Sequence, residues 1–191
     1  LIQSKAVKTA LVICPKSVMG SWDRDIQMFD AESQTRLKTH VEVINYDKVW
    51  RYDRNKFNQY DRQYDVIVID EAHSIKNRTS KRAAFILKLA VTAKYRYALT
   101  GTPISNGQLE NFWSLICFLD PYSVGSRVYS NIFRIVDGGK GSYYEFLEKY
   151  ALLDQFHKPY RYRNVTALQE IVDDYSYRVT KNECLDLPDK L

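Results

Sequence analysis

The sequence predicts an α/β fold, a buried parallel sheet with helices on both faces. Two observations predict it. Four short strand-like runs, at residues 10–14, 41–44, 66–69 and 95–99, recur along the first half of the chain, with helical apolar spacing after three of them. Each run also ends in polar residues: Pro15-Lys16-Ser17, Asn45-Tyr46-Asp47, Asp70-Glu71 and Thr100-Gly101-Thr102. Uninterrupted apolar runs suit strands buried on both faces of a parallel sheet. In such sheets ligands collect beyond the carboxyl ends of the strands.

The third run organises the rest. Val66 to Ile69 leads straight into Asp70 and Glu71, with His73 close behind. Two adjacent carboxylates at a strand tip are costly to desolvate without a cation, and a magnesium nucleotide supplies one. Asp70 would hold Mg²⁺, as the aspartate of phosphoryl-transfer enzymes does. Glu71 would orient and deprotonate an attacking water, and His73 would couple the γ-phosphate to neighbouring segments. The competing reading is that the four letters simply begin a helix, whose first turn favours acidic residues.

Composition bounds the class. The chain has 191 residues, enough for one sizeable domain with a real core. Hydrophobic residues at 45% and charged residues at 27% argue against low-complexity disorder. A formal charge of +5 leans mildly towards an anionic partner. Cys14, Cys117 and Cys184 are an odd set without metal-type spacing; Cys14 and Cys117 fall inside apolar segments, so buried reduced thiols of a cytoplasmic (prokaryotic or phage-infected) or nuclear protein are expected. No apolar run approaches membrane-spanning length, and no signal-peptide pattern opens the sequence. Leu1 and Leu191 both read as cut ends of something longer.

In order, residues 10–14 reach a turn at Pro15-Lys16-Ser17, followed by a helix with Val18, Trp22, Ile26 and Phe29 inward. A loop hydroxyl and lysine before a helix start suit a phosphate backbone, and equally an ordinary strand–helix turn. Residues 48–64 lack a clear period and read as a surface helix and loop. Thr79 or Ser80 caps a helix with Ala83, Ile86, Leu87, Ala90 and Val91 as its core face. At its start, Lys76, Arg78, Lys81 and Arg82 read either as a nucleic-acid contact or as a solvated face. Gly101 is expected to permit a turn that a side chain would resist, its loop sensing His73 or the Asp70–Glu71 pair, though an ordinary turn also fits. Leu109, Phe112, Trp113, Ile116 and Leu119 mark the next helix, stopped by Pro121.

From Tyr122 the alternation ceases. Ser142 to Glu145 and Thr166 to Gln169 read as capping boxes opening two helices, the second burying Leu168, Ile171, Val172 and Tyr175. Between them Lys158 to Arg163 interleaves cations with aromatics, a weak nucleic-acid pattern. The glycine-rich residues 137–142 lack phosphate-loop spacing and read as a flexible turn.

Taken together, LVICPKSVMGSW (residues 11–22), VINYDKV (43–49), VIVIDEAHSIKN (66–77) and ALTGTPISNGQLENFWSLICFLDP (98–121) resemble the Swi/Snf family of helicase-related ATPases in superfamily two. VTKNECLDLPDK (179–190) also looks like that family's exit from its first lobe. The resemblance implies a three-layer RecA-like fold of the P-loop NTPase type, here missing its first strand and phosphate loop, plus a C-terminal helical protrusion. It implies a partial ATP-binding lobe at 1–121, the protrusion at 122–178, and a segment at 179–191 leading towards a second lobe. It implies ATP and Mg²⁺ as cofactors and double-stranded DNA as partner, with hydrolysis driving translocation. By position, Asp70, Glu71 and His73 match the catalytic group, and Thr100, Gly101 and Thr102 the coupling loop. Pro15, Lys16, Ser17, Asn45 and Tyr46 match segments that track DNA.

The sequence departs from that pattern in two respects: it contains no glycine-rich loop ending in Lys-Thr or Lys-Ser, and the second lobe with its arginine finger is expected to lie outside it. The chain alone is therefore expected to be inactive as an ATPase. A non-catalytic DNA-binding module descended from such a lobe stands as the alternative, with a restriction motor or an RNA helicase behind it.

Overall fold

The computed structural model describes residues 7–32, 40–51, 62–102, 107–121 and 141–178. Four strands, β1 (Thr9–Cys14), β2 (His40–Asn45), β3 (Val66–Asp70) and β4 (Tyr95–Leu99), form one sheet in the order β2-β1-β3-β4. Every pairing in it is parallel. Rows of partners run across the sheet, such as Glu42–Leu11–Ile67–Arg96 and Ile44–Ile13–Ile69–Ala98. Side chains alternate faces along each strand, and Leu11, Ile13, Ile67 and Ile69 are wholly buried on one of them. On the other, Ala10, Val12 and Val66 are buried while Val43 and Val68 are part-covered and Tyr97 is exposed.

The connections follow the sequence where its signals are local. After β1 a single 3-10 turn at Lys16–Val18 leads into α1 (Met19–Glu32). Trp22 and Ile26 are half-buried there, whereas Phe29, expected inward, is exposed along with Met28. A helix with three Asp and one Arg among its 14 residues turns only a narrow stripe towards the sheet. The short α2 (Tyr46–Val49) is capped by Asn45, whose Oδ1 accepts from the amides of Asp47 (3.1 Å) and Lys48 (2.9 Å). Ser80 caps α3 (Lys81–Thr92), its Oγ accepting from Ala83 N at 3.1 Å. Ala83, Ile86, Leu87 and Ala90 are buried as their spacing requires, with Leu89 added. A 3-10 turn at Leu109–Phe112 leads into α4 (Trp113–Leu119), which buries Trp113, Leu115, Cys117 and Phe118.

Arg96 fastens two helices to the edge strand. Its guanidinium donates to the carbonyls of Ala90 (3.1 Å) and Ala93 near the end of α3, and to Leu119 O (3.0 Å) at the end of α4. Carbonyls at helix carboxyl ends lack intrahelical donors, so one cation satisfies both ends.

The chain divides into two compact units, residues 1–146 and 147–191, with the boundary inside α5 (Gly141–Tyr150). In the second unit β5 (Ala151–Leu153) and β6 (Pro159–Tyr162) form an antiparallel hairpin, followed by α6 (Val165–Tyr175). The sequence reading missed this hairpin because its strands are only three and four residues long. Asp154 organises its turn, Oδ1 accepting from the amides of Phe156 (2.8 Å) and Lys158 (2.9 Å). Both expected capping boxes are corrected. Ser142 lies within α5, and α6 starts after Asn164, whose left-handed backbone (φ 53°) takes the cap position without a side-chain bond. The flexible turn read at 137–142, apart from 141–142 at the start of α5, the span 122–140, Pro103 and the exit segment 179–191 lie outside the described residues.

At the amino end of the sheet Asp65 ties β3 to β1: Oδ2 accepts from Lys8 N (2.7 Å) and Thr9 N (3.0 Å). These amides hold its carboxyl below the usual carboxylate range. Because the folded pKa is depressed, the contribution is complete above the unfolded value and lost as pH falls through the folded one. Asp65→Asn is expected to cost at most about 1 kcal/mol, the site being well solvated, and to flatten the acid limb of a urea-melt stability profile measured between pH 5 and pH 2.

Candidate functional site

Parallel register sets the site. Cys14 pairs with Asn45, Ile13 with Ile69, and Asp70 with Leu99, so all four strands end at one rim. That rim holds Asp70 and Glu71, the turn Pro15-Lys16-Ser17, the pair Asn45-Tyr46, and the loop Thr100-Gly101-Thr102.

Asp70 is held at three points. The indole N–H of Trp22, on α1, donates to Oδ2 at 2.9 Å. The amide of Glu71 donates to Oδ1 at 2.9 Å. The hydroxyl of Tyr46 donates to the Asp70 main-chain carbonyl at 2.7 Å. Tyr46 is 4% exposed. Burial first, and then the Asp70 carboxylate, push its phenol far above the ordinary range, so it remains a donor. Burial and the carboxylates of Asp70 and Asp23 likewise push the Cys14 thiol up to about 11, which keeps it protonated and inert.

Glu71 sits in the left-handed region, at φ 51° and ψ 54°. For a non-glycine residue this costs ~1–2 kcal/mol, and strain of this kind clusters at functional sites. The acidic pair therefore does not open a regular helix: a 3-10 turn, Ala72–Ile75, follows it. The half-exposed Glu71 carboxylate approaches His73, Oε2 to Nδ1 3.2 Å. The approach lacks hydrogen-bond angles, and Nδ1 is otherwise buried without a partner. A small rotation of either side chain would pair them.

Two carboxylates at a strand tip suit a hard divalent cation, which takes oxygen donors. Among the described residues no group of three or more His, Cys, Asp or Glu could hold a metal. The remaining positions of a Mg²⁺ shell would fall to water and phosphate oxygens, as is usual for nucleotide-bound magnesium.

The other expected residues divide by exposure. Lys16 and Ser17 are exposed, and Pro15 is half-buried, its carbonyl accepting from Val18 N at 3.1 Å. Asn45 and Tyr46 are buried, their polar groups spent on capping α2 and on Asp70. Thr100 Oγ1 accepts from the amide of Thr102 at 3.2 Å, and among the described residues it makes no hydrogen bond to His73, Asp70 or Glu71. The expectation that Gly101 is required sterically is corrected. Its backbone is not left-handed and an added Cβ would meet nothing within 4 Å. Of the basic cluster, Arg82 is engaged with Asp47 Oδ1 (2.6 Å) and the ring of Tyr46, and Arg78 lies 4.0 Å from the ring centroid of Tyr143. Sequence reasoning missed Trp22 as a site residue because its helical spacing reads as core. The one signal was general: a buried indole N–H seeks an acceptor.

Comparisons with known proteins bear on the family and the fold. A family profile described as the SNF2-related domain matches residues 30–191. TATA-binding protein-associated factor MOT1 of Saccharomyces cerevisiae is 34% identical over 66% of this chain and 7% of its own length. ATP-dependent helicase FUN30 of the same yeast is 33% identical over 58% of this chain and 11% of its own. The chain thus spans a small fraction of the curated relatives it matches. Among solved structures, the SWI2/SNF2 ATPase core domain of Sulfolobus solfataricus superposes with a TM-score of 0.63 at 26% identity, covering 97% of this chain and 36% of that one. The same organism's SWI2/SNF2 ATPase core in complex with dsDNA gives 0.51 at 30% identity, over 76% and 33%. The four-stranded parallel sheet is thereby the RecA-like sheet of that core, and this chain belongs to the SNF2-related domain family.

Proposed function

We propose that this chain is the first-lobe portion of an ATP-dependent double-stranded DNA translocase. The observation that carries the reading is the sharing of one sheet rim by an acidic pair, whose Glu71 is strained, and an exposed turn bearing Lys16. Relatedness to a helicase named as ATP-dependent and to an ATPase core solved on duplex DNA supports it. In the proposed organisation residues 1–121 belong to the lobe, 122–178 to a protrusion, and 179–191 lead towards a second lobe.

Asp70 is the proposed Mg²⁺ ligand. A nucleotide-bound Mg²⁺ would neutralise charge developing on the phosphates. Glu71, turned out by its left-handed backbone, orients water and accepts its proton, and His73 lies beside it to report on the γ-phosphate. Lys16 and Ser17 meet DNA phosphates from the exposed turn, while Asn45 and Tyr46 shape the neighbouring tip from within. Thr100, Gly101 and Thr102 form a loop in which the Thr100 hydroxyl oxygen accepts from Thr102 N, and its O–H is the group to donate when nucleotide binds. Contacts of this sort are to the backbone and carry no sequence preference.

Three outcomes test the reading. In the parent enzyme, Glu71→Gln is expected to lower turnover by about two to four powers of ten while nucleotide affinity holds; unaltered turnover removes Glu71 from its role. The purified 191-residue chain, lacking a phosphate-loop motif, is expected to hydrolyse ATP at background rate in a phosphate-release assay. Lys16→Ala in the parent should weaken binding to unrelated duplexes alike and reduce the slope of log affinity against log salt by about 1. A change confined to particular sequences would contradict backbone tracking.

A further inference from the structure

Trp22 takes no part in the reaction proposed above, yet its indole is the only side chain among the described residues that hydrogen-bonds the Asp70 carboxylate. We propose that Trp22 is a positioning residue for the metal-binding carboxylate, fixing the rotamer in which Asp70 can take Mg²⁺. The inference rests on the assignment of Asp70 as metal ligand.

The physical case is one of restraint. A carboxylate has two oxygens and about four acceptor sites. In this structure each oxygen carries one N–H, Oδ2 from Trp22 and Oδ1 from the amide of Glu71. Each oxygen therefore keeps lone-pair capacity for a cation. The Glu71 amide belongs to the next residue and fixes little about the side chain beyond its own tip. The Trp22 N–H arrives from a different element, 48 residues earlier in sequence, and so pins the carboxylate against the body of the fold. An indole is a donor only and cannot compete as a ligand. Its ring is half-buried, so it brings low polarity to one side of the carboxylate without adding charge. A charged donor in the same place would neutralise Asp70 and weaken its hold on a cation; a neutral N–H orients it and leaves the charge intact. Tyr46 restrains the main chain of the same residue through Asp70 O, so side chain and backbone are gripped separately. Orienting outer partners of this kind typically change metal affinity about ten- to a hundredfold when removed.

The experiment measures ADP binding to the parent enzyme by calorimetry, with EDTA and with saturating Mg²⁺, for wild type, Trp22→Phe and Asp70→Asn. Trp22→Phe keeps the ring and removes the donor. It is expected to leave the metal-free affinity within about twofold and to reduce the affinity gained from Mg²⁺ by about tenfold. Steady-state hydrolysis should then need about tenfold more Mg²⁺ for half-maximal rate, and Trp22→His, which retains a ring N–H, should recover part of the gain. An unchanged Mg²⁺ gain in Trp22→Phe, with Asp70→Asn abolishing it, overturns the role of Trp22 alone. A Mg²⁺ gain that survives Asp70→Asn overturns the metal assignment beneath it. Equal losses with and without Mg²⁺, accompanied by a lowered melting temperature, mark Trp22 as a packing residue and also overturn the proposal.

Discussion

Parallel hydrogen bonding between β1 and β3 is the constraint on which the rest depends. Parallel strands cannot be joined by a tight turn, so each must be followed by a crossover that returns the chain to the same starting edge. Every strand then ends at the same rim. Leu11, Ile13, Ile67 and Ile69 hold the central pair by complete burial of their side chains. Were the pairing antiparallel, Asp70 and the Lys16 turn would lie at opposite ends of the sheet. The chemistry of the rim is therefore a consequence of how its central strands are paired.

That constraint also explains how the rim is stiffened. Polar groups at strand tips are removed from bulk water and must find partners. Asn45 turns inward to cap α2, Tyr46 donates to the Asp70 carbonyl, and Trp22 donates to its carboxylate. Arg82 closes the outer side by pairing with Asp47 and stacking on Tyr46. At the centre lie the two groups proposed above for the chemistry, the Glu71 carboxylate on a strained backbone and His73 Nδ1, 3.2 Å from it. Neighbours with settled hydrogen bonds thus surround the pair proposed to react.

Legibility from sequence tracked the range of the interactions involved. The apolar run before Asp70, the Ser80 cap and the spacing of Ala83, Ile86, Leu87 and Ala90 are local patterns, and the fold obeys them. The β5–β6 hairpin was missed because Ala151–Leu153 and Pro159–Tyr162 are too short for a period-two signal to rise above composition. Phe29 was misplaced because helical spacing gives a stripe but not how much of the stripe the sheet can cover. Asn45 and Tyr46 look like surface polar residues in a turn, and their burial follows from the neighbouring tips, which local sequence does not describe.

By itself the sequence determined the class of fold, the four strand tips, the acidic pair and the family, because these rest on residue type and spacing within short windows. Only the tertiary structure decided which polar groups grip Asp70, which basic residues remain exposed, and that Glu71 adopts a left-handed backbone. Those outcomes depend on distances between residues far apart in the chain, such as Trp22 and Asp70, and a linear pattern holds no term for such distances.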